Sequence, residues 1–112
     1  MSTMLAQEHC VPCHGGMPPL DLAGITALLP EVPGWHLAAA PSRIEREWKF
    51  PDFATALAFV NRVGDVAEAA GHHPDIAFGW GFVKVSLHTH AIGGLHRTDF
   101  VVAARIDGLG EG

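Results

Sequence analysis

A long amphipathic segment at residues 52–70 places the strongest constraint on the fold. Its apolar residues recur at intervals of three and four, the spacing of one helical face: Phe53, Leu57, Val60, Val63 or Gly64, and Ala67. Asp52 stands where a carboxylate stabilises a helix N-terminus, and Gly71 stands where a C-terminal cap is expected. The pattern therefore predicts a helix over residues 52–70.

Strand-like segments flank this helix on both sides. A short strand begins near Trp35, and residues 43–50 alternate with Ile44, Arg46 and Trp48 on one face, where Arg46 is the single polar exception. Residues 76–80 and 82–88 predict two further strands, and residues 20–29 and 98–106 predict helices that end before proline or glycine. The order α-β-β-α-β-β-α predicts an α+β fold, with a four-stranded antiparallel sheet and helices packed on one face.

The length of 112 residues indicates one domain. Glycines and prolines at residues 15–19 separate an irregular N-terminal arm, residues 1–19, from a single domain at residues 20–108 and a tail at 109–112. The apolar fraction of 48% is typical of a globular protein.

Charge and hydropathy exclude several partners. The net charge is −5 and the basic residues do not cluster, which argues against nucleic acid binding. No apolar run approaches the roughly 18 residues of a membrane span. The N-terminus lacks a basic region followed by an apolar stretch, so we expect no secretory signal and a cytoplasmic protein.

The only two cysteines lie in the segment Cys10-Val-Pro-Cys13-His14, which matches the pattern for c-type haem attachment. Such attachment normally needs export, and a zinc site needs about four ligands, which this short segment supplies only in crowded form. We expect a pair of reduced thiols here, with metal, haem or redox roles as alternatives.

Histidines form the main candidate site. His72 and His73 follow the end of the long helix, while His88 and His90 alternate on an extended segment and so face the same way. The helix dipole would explain one histidine at a helix C-terminus, but it explains neither the adjacent pair nor the distant His90. Because imidazole has an ordinary pKa of about 6.5, a shared pocket of such groups suits proton transfer.

Two carboxylates accompany these histidines. Glu68 lies four residues before His72, where it either orients a histidine or faces solvent. Asp99 lies in the first turn of the last helix, where capping and a role in the site are compatible. Trp35 and Trp80 are expected in the core.

A metal site is the competing interpretation. His88 and His90, joined by His72 or His73 and by Glu68 or Asp99, would offer ligands for zinc or iron. His-Xaa-His is a weak signal, however, and adjacent histidines rarely reach one ion. We therefore predict a site that works without metal.

These residues together resemble the pterin-4a-carbinolamine dehydratase family over about residues 20–107. The resemblance rests mainly on one set of residues at fixed spacing: Glu68, His72, His73, Pro74, Trp80, His90 and Asp99. Further matches lie at Gly34-Trp35, at residues 50–53 and at Gly94-Leu95. The segment around Cys10 and Cys13 also looks like bacterial members of that family.

The resemblance implies the same α+β fold, a homodimer or homotetramer, and removal of water from 4a-hydroxytetrahydropterin without metal or cofactor. It implies that His72, His73 and His90 are the catalytic acid–base set. The substrate-binding residues that it implies are Glu68, Gly71, Pro74, His88, Thr89, Ala91 and Asp99.

The chain departs from the family pattern at three positions. Gly71 stands where some members carry an acid, His88 where serine is usual, and His96 where serine or threonine often begins the last helix. The first two departures bear on substrate affinity. The alternatives are a non-catalytic dimerisation or assembly factor of the same fold, and a metal-binding protein built on His88, His90 and the cysteine segment.

Overall fold

The computed structural model describes residues 5–8, 18–39 and 42–109. Seven main elements follow one another: α1 (Leu22–Leu28), β1 (His36–Ala38), β2 (Arg43–Lys49), α2 (Phe53–Ala70), β3 (Asp75–Gly79), β4 (Phe82–Leu87) and α3 (Arg97–Asp107). Short 3₁₀ turns occupy Leu29–Glu31 and His90–Ile92. The predicted order is confirmed, and the predicted bounds differ by one or two residues.

The four strands form one antiparallel sheet in the order β1-β2-β4-β3. Trp48 in β2 and Phe78 in β3 both pair with Val83 in the central strand β4. Alternate residues of β4 are buried, namely Val83, Val85 and Leu87, and α2 packs against β3, β4 and α3. The helices therefore cover one face of the sheet, and the predicted α+β class is confirmed.

Helix α2 has the predicted ends but a different buried face. Asp52 Oδ1 accepts a hydrogen bond from the backbone N of Thr55 at 2.8 Å, and Gly71 caps the helix with φ 64°. The buried residues are Ala56, Phe59, Val63 and Ala67, whereas Phe53 and Leu57 are exposed. The predicted apolar face and the observed buried face both have helical spacing and both contain Val63 and Ala67. Periodicity alone therefore does not show which of the two faces is buried.

Aromatic side chains fill the space between α2 and the sheet. The Phe59 ring lies 4.9 Å from that of Trp48 and 5.2 Å from that of Phe50, and Trp35 meets Trp48 edge-to-face. Trp35 is buried as predicted, but Trp80 is 71% exposed, so the prediction of a core role for Trp80 was wrong. Trp80 lies in the turn between β3 and β4, where no other described element covers the side chain enough to bury it.

The exceptional Arg46 of β2 has a partner on α3. Its Nη1 donates to Asp107 Oδ1 at 2.8 Å, and the Trp35 Nε1–H donates to the same oxygen at 2.9 Å. The guanidinium also lies 4.9 Å from the Trp48 ring centroid. A Cβ at Gly34 would approach Arg46 Nη1 to 2.6 Å, so glycine there leaves room for the guanidinium. A polar residue on the inner face is thus paired rather than misplaced.

Residues 5–8 of the N-terminal arm differ from the irregular segment that was expected, whereas Pro18 and Pro19 have no regular structure. Residues 5–8 form a helical turn in which Leu5 is buried, and Arg97 in α3 donates twice to the Glu8 carboxylate, at 2.7 and 2.6 Å. Cys10, Cys13 and His14 lie outside the described residues, as do residues 110–112. Over the ranges that are described, no helix has the length and apolar character needed to cross a membrane.

Candidate active site

A cavity of about 300 Å³ opens where the C-terminus of α2 meets the segment that follows β4. The left-handed cap at Gly71 ends α2, and Pro74 prevents its continuation, so the two intervening histidines turn toward that segment. The cavity is lined by Gly71, His72, His73, His88, Thr89, His90 and Ala91. The structure therefore brings together the histidines that the sequence places 15 or more residues apart.

His72 is held by a buried carboxylate. Its Nε2 lies 2.6 Å from Asp99 Oδ1, and the Asp99 side chain is 0% exposed. The other oxygen, Asp99 Oδ2, accepts from Thr89 Oγ1 at 2.8 Å and from the backbone N of His96 at 2.9 Å. Because an ionised carboxylate only accepts, we assign the Nε2 proton to His72, which leaves Nδ1 with the lone pair in the neutral ring.

His73 has the same kind of partner in a different environment. Its Nε2 forms a hydrogen bond with Glu68 Oε2, but the His73 and Glu68 side chains are 63% and 77% exposed. Glu68 lies in the last turn of α2, five residues before His73. The carboxylate favours the same tautomer as in His72, but the His73 ring is largely exposed to solvent.

His88 and His90 form the opposite wall of the cavity. Their ring centroids lie 4.1 Å apart with the planes tilted by 53°. Nδ1 of His88 is buried and has no hydrogen-bond partner among the residues that the structure describes. Buried ring nitrogens are usually paired, so this one is an exception within a residue that lines the cavity.

The remaining predicted residues lie at different distances from the cavity. Gly71, Thr89 and Ala91 line it, whereas Glu68, Pro74 and Asp99 do not. Glu68 and Asp99 bond the histidines instead, and the Thr89 hydroxyl donates to Asp99. Asp99 also accepts from the His96 backbone N, so one carboxylate both caps α3 and holds His72.

Asp75 is a neighbour of the site that sequence reasoning missed. It begins β3, and its carboxylate lies near the imidazoles of His88 and His90. The residue follows Pro74 at a strand start, a position that looks structural in the sequence. The register between β3 and β4 would have revealed it. Asp75 pairs with Ser86, and Ser86 precedes His88 by two residues.

Comparison with known proteins agrees with this geometry. The sequence profile of the Pterin 4 alpha carbinolamine dehydratase family matches residues 18–109. A protein of Cupriavidus pinatubonensis whose name places it among the pterin-4-alpha-carbinolamine dehydratases is 53% identical over 112 residues, covering 100% of this chain and 97% of its own. A Chlorobium limicola protein with the same kind of name is 50% identical over 110 residues, covering 96% and 97%.

This chain belongs to the pterin-4a-carbinolamine dehydratase family. A solved structure of a transcriptional coactivator/pterin dehydratase from Brucella melitensis superimposes with a TM-score of 0.77 at 29% identity, covering 84% of this chain and 99% of that one. A pterin dehydratase-like protein identified as a RuBisCO assembly factor in the alpha-carboxysome superimposes with a TM-score of 0.60 at 26% identity, covering 70% and 93%. The family fold thus includes proteins described by different roles.

Proposed function

We propose that this chain removes water from 4a-hydroxytetrahydropterin and yields quinonoid dihydropterin. The observation that carries the proposal is the cavity lined by His72, His73 and His90, in which two of the three rings have a carboxylate partner. Its volume of about 300 Å³ lies within the range of small-molecule pockets.

The reaction suits an imidazole site. The substrate carries a hydroxyl on a carbon that is bonded to a ring nitrogen. A protonated histidine gives its proton to the hydroxyl, the carbon–oxygen bond breaks with help from the nitrogen lone pair, and water leaves. A neutral histidine then takes a proton from the pterin ring, which balances the proton that was given. Each such transfer typically contributes about 10²–10⁴-fold.

Hydrogen bonds suggest how the roles are divided. Asp99 bonds Nε2 of His72, and Glu68 bonds Nε2 of His73. In each ring, Nδ1 is then the nitrogen left to exchange a proton with the substrate. We assign protonation of the hydroxyl to His73 or His90. Glu68 and Asp99 are positioning residues. Gly71, Pro74 and the segment from His88 to Ala91 would hold the pterin ring.

The biological setting follows from the reaction. Quinonoid dihydropterin is the form that is reduced again, so the enzyme would recycle the pterin used in aromatic amino-acid hydroxylation. The reaction as written needs no metal and no cofactor. We propose a cytoplasmic homodimer or homotetramer.

The test is the loss of the 4a-hydroxyl from chemically generated substrate, followed by absorbance. We expect acceleration over the spontaneous rate, and a drop of about 10²–10⁴-fold in His73→Ala and in His90→Ala. Both side chains are exposed, so both variants should fold. His36→Ala, an exposed histidine on β1, is the matched control and should keep full turnover. Full activity in both His73→Ala and His90→Ala would end the assignment.

The second candidate is a binding or assembly role without catalysis. The observation in its favour is the fold shared with the pterin dehydratase-like RuBisCO assembly factor. The same assay separates the two candidates, because a purely binding protein leaves the spontaneous rate unchanged.

A further inference from the structure

Three potential metal ligands meet at the edge of the proposed pterin cavity. Asp75 pairs with Ser86 across the sheet, and His88 follows Ser86 by two residues, so Asp75 and His88 lie on the same side. His90 begins the next 3₁₀ turn. One donor atom from each of Asp75, His88 and His90 lies within 4.8 Å of the other two.

The spacing is close to that of a coordinated set. Zinc binds imidazole nitrogen and carboxylate oxygen at about 2.0–2.2 Å, so tetrahedral ligands lie roughly 3.3 Å from one another. A small side-chain adjustment closes the remaining gap. Asp75 and His90 are exposed and free to make it, and their exposure gives an ion access from solvent.

A second observation concerns His88 itself. The buried Nδ1 of His88 has no hydrogen-bond partner within the described part of the chain. A buried nitrogen is normally satisfied, and a metal ion that accepts its lone pair would satisfy it.

The donor set selects the class of ion. Two imidazoles and one carboxylate, with a fourth position open to water, suit zinc and the neighbouring divalent transition metals. Calcium and magnesium prefer all-oxygen sites and are poorly served here.

We propose that Asp75, His88 and His90 bind one divalent transition-metal ion of the zinc class at the cavity wall, and that the bound ion inhibits the enzyme. Coordination uses the lone pair of His90 and places a charged group where the pterin would lie. The inhibition rests on the proposed function, whereas the metal binding does not.

Binding is tested with Zn²⁺ by calorimetry and with Co²⁺ by visible absorption, on the untagged full chain. Cys10 and Cys13 are replaced by serine in a parallel set, so that thiolates cannot supply the site. We expect one ion per chain in both sets. Asp75→Asn and His88→Ala should each weaken the affinity by about 100-fold or more, since losing even an outer partner of a metal site costs roughly 10–100-fold.

Matched controls are Asp65→Asn, an exposed carboxylate on α2, and His36→Ala on β1, which should bind as the parent does. Absence of stoichiometric binding would overturn the proposal. Binding that persists in Asp75→Asn or in His88→Ala would overturn it equally, because the three-ligand set would then be wrong.

Inhibition is measured separately. Zn²⁺ should slow dehydration by the parent and a chelator should restore it, while the rate of Asp75→Asn, compared with its own metal-free rate, should not change when Zn²⁺ is added. If Zn²⁺ binds at these residues and the rate does not change, the inhibitory part is wrong. If no form of the protein accelerates dehydration, the proposed function fails while the Co²⁺ spectrum still decides the metal site.

Discussion

His72 and His73 are adjacent in the chain and each bonds a carboxylate through Nε2, yet the two pairs differ in burial. Asp99 is 0% exposed and His72 14%, whereas Glu68 is 77% and His73 63% exposed. Asp99 also accepts bonds from Thr89 and from the backbone of His96, which ties the His72 ring to the start of α3. A buried, multiply bonded carboxylate fixes a ring, while an exposed one only biases it.

The largest expected effect comes from breaking the buried pair. Asp99→Ala leaves His72, the Thr89 hydroxyl and the His96 backbone N without their acceptor. We expect a loss of about 3–5 kcal/mol in the free energy of unfolding, measured by urea denaturation. Asp99→Asn, which keeps the shape, should remain folded and serves to measure turnover. A change below about 1 kcal/mol in Asp99→Ala would show that the buried carboxylate does not organise this region.

Asp107 provides an intermediate case, since its side chain is 21% exposed and accepts from Trp35 and Arg46. Asp107→Ala leaves the buried Trp35 N–H without an acceptor, so we expect a loss of about 1–3 kcal/mol in unfolding free energy. Turnover should hold, because Asp107 lies at the far end of α3 from the cavity. A loss of turnover in a folded variant would contradict this separation.

The pH dependence of stability sharpens the same case. Burial raises the pKa of the Asp107 carboxyl above its ordinary value, although the hydrogen bonds from Trp35 and Arg46 and the charge of Arg46 oppose that shift. The folded state therefore holds the proton more tightly than the unfolded state. The protonated Asp107 carboxyl therefore adds to the free energy of unfolding at a pH below the ordinary Asp pKa. This added stability is lost as the pH rises through the raised pKa of the folded state. Denaturation at stepped pH should show this loss in the parent and not in Asp107→Asn; identical profiles would refute it.

The smallest effect is expected at the exposed pair. Glu68→Gln should change the unfolding free energy by no more than about 0.5 kcal/mol, because surface ion pairs contribute little. It should also lower kcat less than Asp99→Asn does, when both are assayed under the same conditions. The reverse order would mean that the exposed carboxylate, and not the buried one, controls the site.

Much of this arrangement was predictable from local sequence. The helix α2, its caps at Asp52 and Gly71 and the order of helices and strands along the chain follow from periodicity and short-range spacing. The order β1-β2-β4-β3 within the sheet was not predicted. The two histidine partners are predictable to different degrees: Glu68 is near His73 in sequence, whereas the bond from His72 to Asp99 spans 27 residues.

The features that escaped prediction depend on tertiary packing. Arg46 meets Asp107 across 61 residues, so its inner position looked like a flaw in the strand pattern. Trp80 is apolar but lies in a turn, and the exposure of Phe53 depends on how α2 rotates against the sheet. Asp75 joins His88 and His90 only through the register of β3 with β4.

The measurement that most directly tests the catalytic claim compares the parent with a triple variant in which His72, His73 and His90 are all alanine. Both are assayed for loss of the 4a-hydroxyl, after circular dichroism has shown that the triple variant is folded. We predict a clear acceleration by the parent and a spontaneous rate with the triple variant. Equal acceleration by both proteins would contradict a histidine-based site in this cavity.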